Sequence, residues 1–242
     1  MSSPTGTELT ADWVVVDIEG TMTATEQVHV VLYDYAHPRL GPWIDAHPDD
    51  PRVRGAVSEV KTEAGLPEDA GTGQVVDVLH RWMDEDRKAT PLKTLQGLIW
   101  QDGYERGQLS TEYFPDVAPA LREWHKRGLR LAMFSSGSVS AQVAQLSHTT
   151  DGDLRELFSA HFDTVNAGPK KAEDSYRIIA SRLGDDARIA FLSDAPAELD
   201  AASSAGWSTV GLARAGEPFA EADFGDHPAV GDFDQIVIEA AS

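Results

Sequence analysis

The sequence contains no cysteine, which excludes disulfides, thiolate catalysis and cysteine-ligated zinc and suits a reducing compartment. It is also short of cations. Twenty lysines and arginines stand against 40 aspartates and glutamates, a formal net charge of −20 at pH 7. Such a surface repels nucleic acid and anionic membranes, so neither is expected as a partner. It repels a phosphorylated substrate too, so an anion site here must carry its own local positive charge. No stretch approaches the roughly 18–20 consecutive apolar residues that span a bilayer. Residues 1–13 have neither the basic start nor the apolar run of a secretory signal, so a cytoplasmic protein is expected.

What is present is ordinary in amount: 41% apolar and 25% charged residues, enough to bury a core. A chain of 242 residues allows one large domain, or a core with a smaller insert. Trp13-Val14-Val15-Val16 is apolar throughout and reads as a buried strand of the parallel-sheet kind. After Thr21 the texture turns helical for about ninety residues. Asp50-Pro51 supplies an N-cap and a first-turn proline for a helix that stops at Gly65. Val75, Val76, Leu79, Trp82 and Met83 repeat at helical spacing, and Thr90-Pro91 opens a helix with Leu92, Leu95, Leu98 and Ile99 on one face.

From Pro115 strands and helices alternate. Asp116 is expected to cap a helix ending at Gly128, followed by a strand over residues 129–134 and a helix through Val139 and Val143. A strand is expected over 162–165, a helix over 170–183 stopped by Gly184, and a strand over 189–193. A short helix ending at Gly206 then leads to a strand over 209–212. This alternation predicts an α/β fold, a doubly wound parallel sheet with a Rossmann-like core. The helical segment is then an all-helical insert: residues 1–22 and 113–242 form the core, and 23–112 the cap.

Doubly wound sheets bind ligands beyond the carboxyl ends of their strands, and the polar residues there are of particular kinds. The first strand runs into Asp17-Ile18-Glu19-Gly20-Thr21. Two carboxylates about 4 Å apart repel by roughly 4 kcal/mol at an effective dielectric near 20, and a bound cation relieves this; solvated loop acids are the alternative. Ser135-Ser136-Gly137-Ser138 opens a helix, where hydroxyls and backbone N–H groups cradle phosphate or merely cap. Gly168-Pro169-Lys170 precedes another helix; a lysine there opposes the helix dipole unless it faces an anion. Ser193-Asp194, with Glu198 four residues on, is an oxygen-rich set suited to Mg²⁺.

In this order the Asp pair, Ser, Lys and Asp resemble the four motifs of the haloacid dehalogenase-like superfamily, with Thr21 fitting its phosphatases. More closely, the sequence resembles the enolase-phosphatases of methionine salvage, also called acireductone synthases. The likeness lies in Asp17-Ile18-Glu19-Gly20-Thr21, with Glu where most relatives have a second Asp, and in the strings at 84–88 and 92–100. It continues in Tyr113-Phe114-Pro115-Asp116-Val117, Phe134-Ser135-Ser136-Gly137-Ser138-Val139, Phe162-Asp163-Thr164 and Phe191-Leu192-Ser193-Asp194.

The resemblance implies a Mg²⁺-dependent phosphatase with a phospho-aspartate intermediate. It would act on a small phosphorylated substrate, 2,3-diketo-5-methylthiopentyl 1-phosphate, first enolising and then dephosphorylating it. Asp17 would be the nucleophile and Glu19 the general acid/base; Asp17, Glu19 and Asp194 would contact the metal. Ser135, Ser136 and Lys170 would hold the phosphate. A monomer is expected.

The likeness fails at 22–34, where Gln27 replaces an expected Phe, and Ala24 and Asp34 replace expected prolines. That departure raises the alternative of a phosphatase for another small phosphate monoester, such as a sugar phosphate. A catalytically silent binding protein is the alternative of another class.

Overall fold

Successive side chains of a strand point to opposite faces, and in Trp13–Val16 both faces are buried. Val14 and Val16 enter one hydrophobic cluster, Trp13 and Val15 another. A strand in the middle of a parallel sheet, with helices on either side, meets this condition. The computed structural model describes residues 6–87, 89–184 and 186–241. The chain divides into two compact units, Met1–Thr25 with Ser110–Ser242, and Glu26–Leu109. The sequence reading sets these boundaries at 22/23 and 112/113. Lys88 of the cap string and the first five residues of the N-terminal run lie outside the described residues.

The first unit opens with β1 (Thr7–Ala11) and β2 (Trp13–Val16). The second unit holds a π-helical turn (Gln27–Leu32), α1 (Tyr33–Ala36), α2 (Leu40–Ala46), α3 (Pro51–Ala64), α4 (Thr72–Asp84) and α5 (Thr90–Glu105). The chain then returns to the first unit through α6 (Val117–Lys126), β3 (Arg130–Phe134), α7 (Val139–Ser147) and β4 (Phe158–Phe162). It ends with α8 (Glu173–Leu183), β5 (Ile189–Ser193), α9 (Pro196–Ser204), β6 (Ser208–Leu212), β7 (Ala229–Val230) and β8 (Ile236–Ala240).

The main sheet is parallel, in the order β4-β3-β2-β5-β6-β7. This is the α/β architecture expected from the alternating pattern. On one face Leu131, Met133, Leu192 and Leu212 pack with Leu121 and Trp124 of α6. On the other, Phe134 and Phe191 pack with Tyr176 and Ile179 of α8 and Leu199 of α9. Each fully buried Val, Leu or Phe contributes roughly 1.5–3 kcal/mol of transfer free energy, which holds the layers together. In the second unit Leu40, Val60, Leu79, Trp82, Leu95 and Ile99 form a core of their own. The α3 helix starts as its sequence dictates, with the Asp50 carboxylate accepting the N–H of Arg52 at 2.8 Å. Among the described residues no helix is long and apolar enough to cross a membrane.

The strands differ from expectation in two places. The strand expected at 162–165 lies at Phe158–Phe162 and stops where it was expected to begin. There the Asp163 carboxylate accepts the N–H groups of Val165 and Asn166 and turns the chain. The parallel pair β1–β8 was not anticipated: its partners lie more than two hundred residues apart, and β1 is half polar.

Candidate active site

Register brings three segments to one level. Val16 pairs with Met133 of β3 and with Leu192 of β5. Asp17, Phe134-Ser135 and Ser193-Asp194 therefore leave the sheet together at its carboxyl edge. The N–H of Asp17 still donates to Leu192 O at 3.0 Å, so the nucleophile candidate is tied to the central strands.

Beyond Asp17 the chain closes a tight turn. The carbonyl of Ile18 accepts N–H groups from Thr21, Met22 and Thr23 at 3.3, 2.8 and 3.0 Å. Gly20 sits at φ +69°, and a Cβ there would stand 2.0 Å from Asp194 Oδ2. Only glycine lets the backbone come so close to that carboxylate. Thr21, fully buried, accepts the N–H of Asp194 on its hydroxyl at 2.9 Å.

The expected helix at 170–183 begins at Glu173, so Lys170 lies in the preceding turn and the helix-dipole argument for it does not apply. What places it is a set of local bonds. The Ser175 hydroxyl donates to Pro169 O and the Tyr176 hydroxyl to Lys170 O, both at 2.7 Å. Gly168, at φ +104°, passes so close to Ser175 that a Cβ would be 2.7 Å from its Oγ. The Lys170 side chain is only 6% exposed, and its Nζ lies 2.5 Å from Asp17 Oδ1 and 2.6 Å from Glu198 Oε2. Glu198 also accepts the hydroxyl of Ser193 at 3.0 Å.

One ammonium serves two buried carboxylates, and the electrostatics follow. Burial pushes the Asp17 carboxyl up to about 7; Lys170 pulls it down and Glu198 pushes it further up. Burial would lower Lys170, but Asp17 and Glu198 outweigh it and hold the ammonium charged. Asp194 is pushed up to about 8, first by burial and then by Asp17, with Glu198 and Glu19 adding to it against Lys170. The site is thus rich in negative charge with one cation to balance it.

A divalent hard cation fits this donor set. Among the described residues no three carboxylates or imidazoles converge closely enough to hold an ion by themselves. The strand-end carboxylates of Asp17 and Asp194 are hard oxygen donors of the kind Mg²⁺ takes, with waters or phosphate oxygens completing its shell.

Ser135 and Ser136 stand at the end of β3. Ser135 is buried, and its N–H donates to Phe162 O at 3.2 Å; Ser136 is exposed. Ser138 caps α7, its hydroxyl accepting the N–H of Ala141. The loop is held from behind. Asp163 Oδ2 accepts the N–H of Val139 at 3.1 Å, and buried Gln142 donates to Gly137 O and Phe162 O at 3.0 and 2.7 Å.

The structure therefore gathers Asp17, Lys170 and Asp194, with half-buried Glu19 near enough to raise Asp194. Ser135 and Ser136 come off the neighbouring strand at the same level. Glu198 was read from sequence as part of the oxygen-rich cation set; its carboxylate is engaged with Lys170 instead. Asp116 holds the N-cap position of α6 but makes no cap bond, and its carboxylate accepts from Arg214 at 3.0 and 2.8 Å. Arg214 was missed, although it lies two residues past the carboxyl end of β6, where the strand-end rule directs attention.

The chain matches the haloacid dehalogenase-like hydrolase family over residues 11–206. It is 70% identical to Enolase-phosphatase E1 of Saccharopolyspora erythraea, over 96% of this chain and 98% of that protein. To Enolase-phosphatase E1 of Streptomyces avermitilis it is 51% identical, over 94% and 95% of the two chains. The crystal structure of the UTR4 protein of Saccharomyces cerevisiae superposes with a TM-score of 0.73 at 28% identity, covering 93% of this chain and 99% of that one.

Proposed function

The chain belongs to the enolase-phosphatases within the haloacid dehalogenase-like hydrolases, and we propose that it works through a phospho-aspartate on Asp17 with Mg²⁺ as its cofactor. Its substrate in this reading is 2,3-diketo-5-methylthiopentyl 1-phosphate, enolised and dephosphorylated in methionine salvage. One observation carries the mechanism: a buried carboxylate, Asp17, held against a buried ammonium, Lys170, at the carboxyl edge of the central strand. The relatives of 70% and 51% identity, both called Enolase-phosphatase E1, support the substrate.

Asp17, Glu19 and Asp194 would hold the metal, which when bound supplies positive charge to offset phosphate and carboxylate together. A carboxylate oxygen of Asp17 attacks phosphorus. The bond to the ester oxygen breaks, its electron pair stays on that oxygen, and Glu19 supplies the proton. A water then gives its oxygen to phosphorus and a proton to Glu19, the bond to Asp17 breaks, and inorganic phosphate leaves. Glu19 is half-buried, so it exchanges protons with solvent between steps. Before the transfer a base takes a proton from the phosphate-bearing carbon. The C–H electron pair forms a carbon–carbon double bond as the adjacent carbonyl becomes an enolate, and that oxygen takes a proton from water. The longer side chain of Glu19 serves as the base in this step too. Lys170 neutralises phosphate oxygens as they arrive, and the Ser135–Ser136 loop binds them. Phosphate monoesters hydrolyse so slowly unaided that accelerations reach ~10²¹, which accounts for both a covalent intermediate and a metal. A monomeric cytoplasmic enzyme goes with this reading.

The test is a panel of the diketo phosphate and several sugar phosphates, with and without Mg²⁺. It is followed by phosphate release and by the ultraviolet absorbance of the enediol. Enediol and phosphate appearing together, only with metal, is the expected result. Preference for a sugar phosphate, motivated by Gln27 in the divergent 22–34 segment, would leave only the phosphatase.

A further inference from the structure

The loop that leaves β6 carries a buried cation that the chemistry above does not use. Arg214 is 4% exposed. Its Nη1 and Nη2 donate to Asp116 Oδ1 and Oδ2 at 3.0 and 2.8 Å, and its Nε donates to the backbone carbonyl of Thr21 at 2.6 Å. The rings of Phe114 and Phe233 lie 4.2 and 5.1 Å from Cζ, and the Phe233 N–H donates to Asp116 Oδ2 at 2.7 Å. The same loop reaches the outgoing chain again at Thr25, whose N–H donates to Glu217 Oε2 at 2.9 Å.

A buried Arg–Asp pair gains little over apolar side chains of the same volume, because desolvation offsets the attraction. What apolar residues cannot do is reach the carbonyl of Thr21. That group is buried, and the turn uses Ile18 O, not Thr21 O, to close on itself. A planar guanidinium fork anchored on Asp116 presents one N–H to Thr21 in a fixed direction; a lysine ammonium on a flexible stem does not. Thr21 is the residue whose hydroxyl accepts the N–H of Asp194. It is thus bonded at both ends, to Arg214 through its carbonyl and to Asp194 through its side chain.

We propose that Arg214 is a positioning residue of the active site: it fixes Thr21, and through Thr21 it sets where Asp194 stands relative to Asp17. This rests on the phosphatase reading and extends it to a residue that touches neither the substrate nor a reacting atom. The Thr21–Asp194 bond joins the first catalytic turn to the end of β5, and Arg214 keeps that bond in register. Phe114 N–H also donates to Met22 O at 2.9 Å, so the segment returning from the helical unit is held at the same point.

The experiment uses the full chain carrying Arg214→Lys or Asp116→Asn, at saturating Mg²⁺, with a phosphate monoester that the wild type turns over. Misplacing a catalytic group by about 1 Å costs on the order of 10²-fold, so Arg214→Lys should lower kcat by about 10–100-fold while KM changes little. Hydrogen exchange at the Asp194 amide should speed up, a readout that needs no substrate. Asp116→Asn, which loosens the fork from its other end, should give the same signature more weakly. The proposal is overturned if, in whichever variant folds, kcat stays within about twofold of wild type or exchange at Asp194 is unchanged. A kcat that merely follows the melting temperature across both variants overturns it as well. A wild type without phosphatase activity would sink the phosphatase reading instead, and would leave the exchange measurement to judge Arg214.

Discussion

Gly20 and Asp194 approach so closely that a methyl group on Gly20 would overlap the Asp194 carboxylate, 2.0 Å from Oδ2. The turn that follows Asp17 and the end of β5 are packed backbone against side chain, with no room for adjustment between them.

Gly20→Ala is therefore expected to cut kcat by roughly 100-fold, since the carboxylate must move by an ångström or more. The φ of +69° adds a conformational cost of about 1 kcal/mol for alanine, so the melting temperature should fall as well. Steady-state kinetics beside a thermal melt will separate the two. Near-wild-type kcat would mean that Asp194 has freedom its packing denies.

The acids of the site make a prediction about pH. Asp17 at about 7 and Asp194 at about 8 lie above the ordinary value of 3.8. The folded chain holds protons there that the unfolded chain has released, so stability falls as pH rises. This contribution is complete below about pH 4 and is lost as pH climbs through the folded values near 7 and 8. In chelator, the melting temperature should decline between pH 5 and 8.5 (roughly the span of those values). Mg²⁺ should restore it most at the alkaline end, where the carboxylates are bare. A flat profile in chelator would contradict the electrostatics described here.

Asp163→Ala removes the acceptor that holds Val139, Val165 and Asn166 behind the Ser135–Ser136 loop. If that loop binds phosphate in ground and transition state alike, KM should rise by about tenfold and kcat change much less. Equal losses in both constants would assign the loop to the transition state alone.

Much of the core was legible from local signals. Four β-branched or aromatic residues in a row, Trp13–Val16, specify a strand buried on both faces, and Asp50-Pro51 with Gly65 marks both ends of α3. The strand-end acids and Lys170 stood out by residue type and order. What the sequence could not show is which groups pair across the fold. Glu198 meets Lys170 because α9 packs beside α8, whose Tyr176 holds the turn that carries Lys170, and no local pattern distinguishes a carboxylate that binds an ion from one that binds an ammonium. Asp116 looked like a cap because it precedes a helix; Arg214, ninety-eight positions away, takes its carboxylate instead. The β1–β8 pair has the same origin, since neither strand is recognisable without the other.

The proposed substrate makes a prediction through one departure from the expected pattern. A methylthio-ethyl tail in an apolar pocket gains about 0.8 kcal/mol per buried CH₂. Gln27, half-buried at the position of an expected Phe, brings a polar amide in place of apolar ring area and is expected to weaken selection for the tail without abolishing turnover. Comparing kcat/KM for the diketo phosphate with that of its desthio analogue measures this. A sugar phosphate preferred by about tenfold or more would overturn the methionine-salvage assignment.

The central claim is that phosphate passes through Asp17. The most direct measurement is an acid quench of the wild type during turnover with Mg²⁺, followed by mass analysis of the peptide that carries residue 17, with Asp17→Asn run beside it. The account predicts one phosphoryl group on Asp17 in the wild type, and neither modification nor turnover in the variant. An unmodified Asp17 throughout turnover, together with an active Asp17→Asn enzyme, would contradict it.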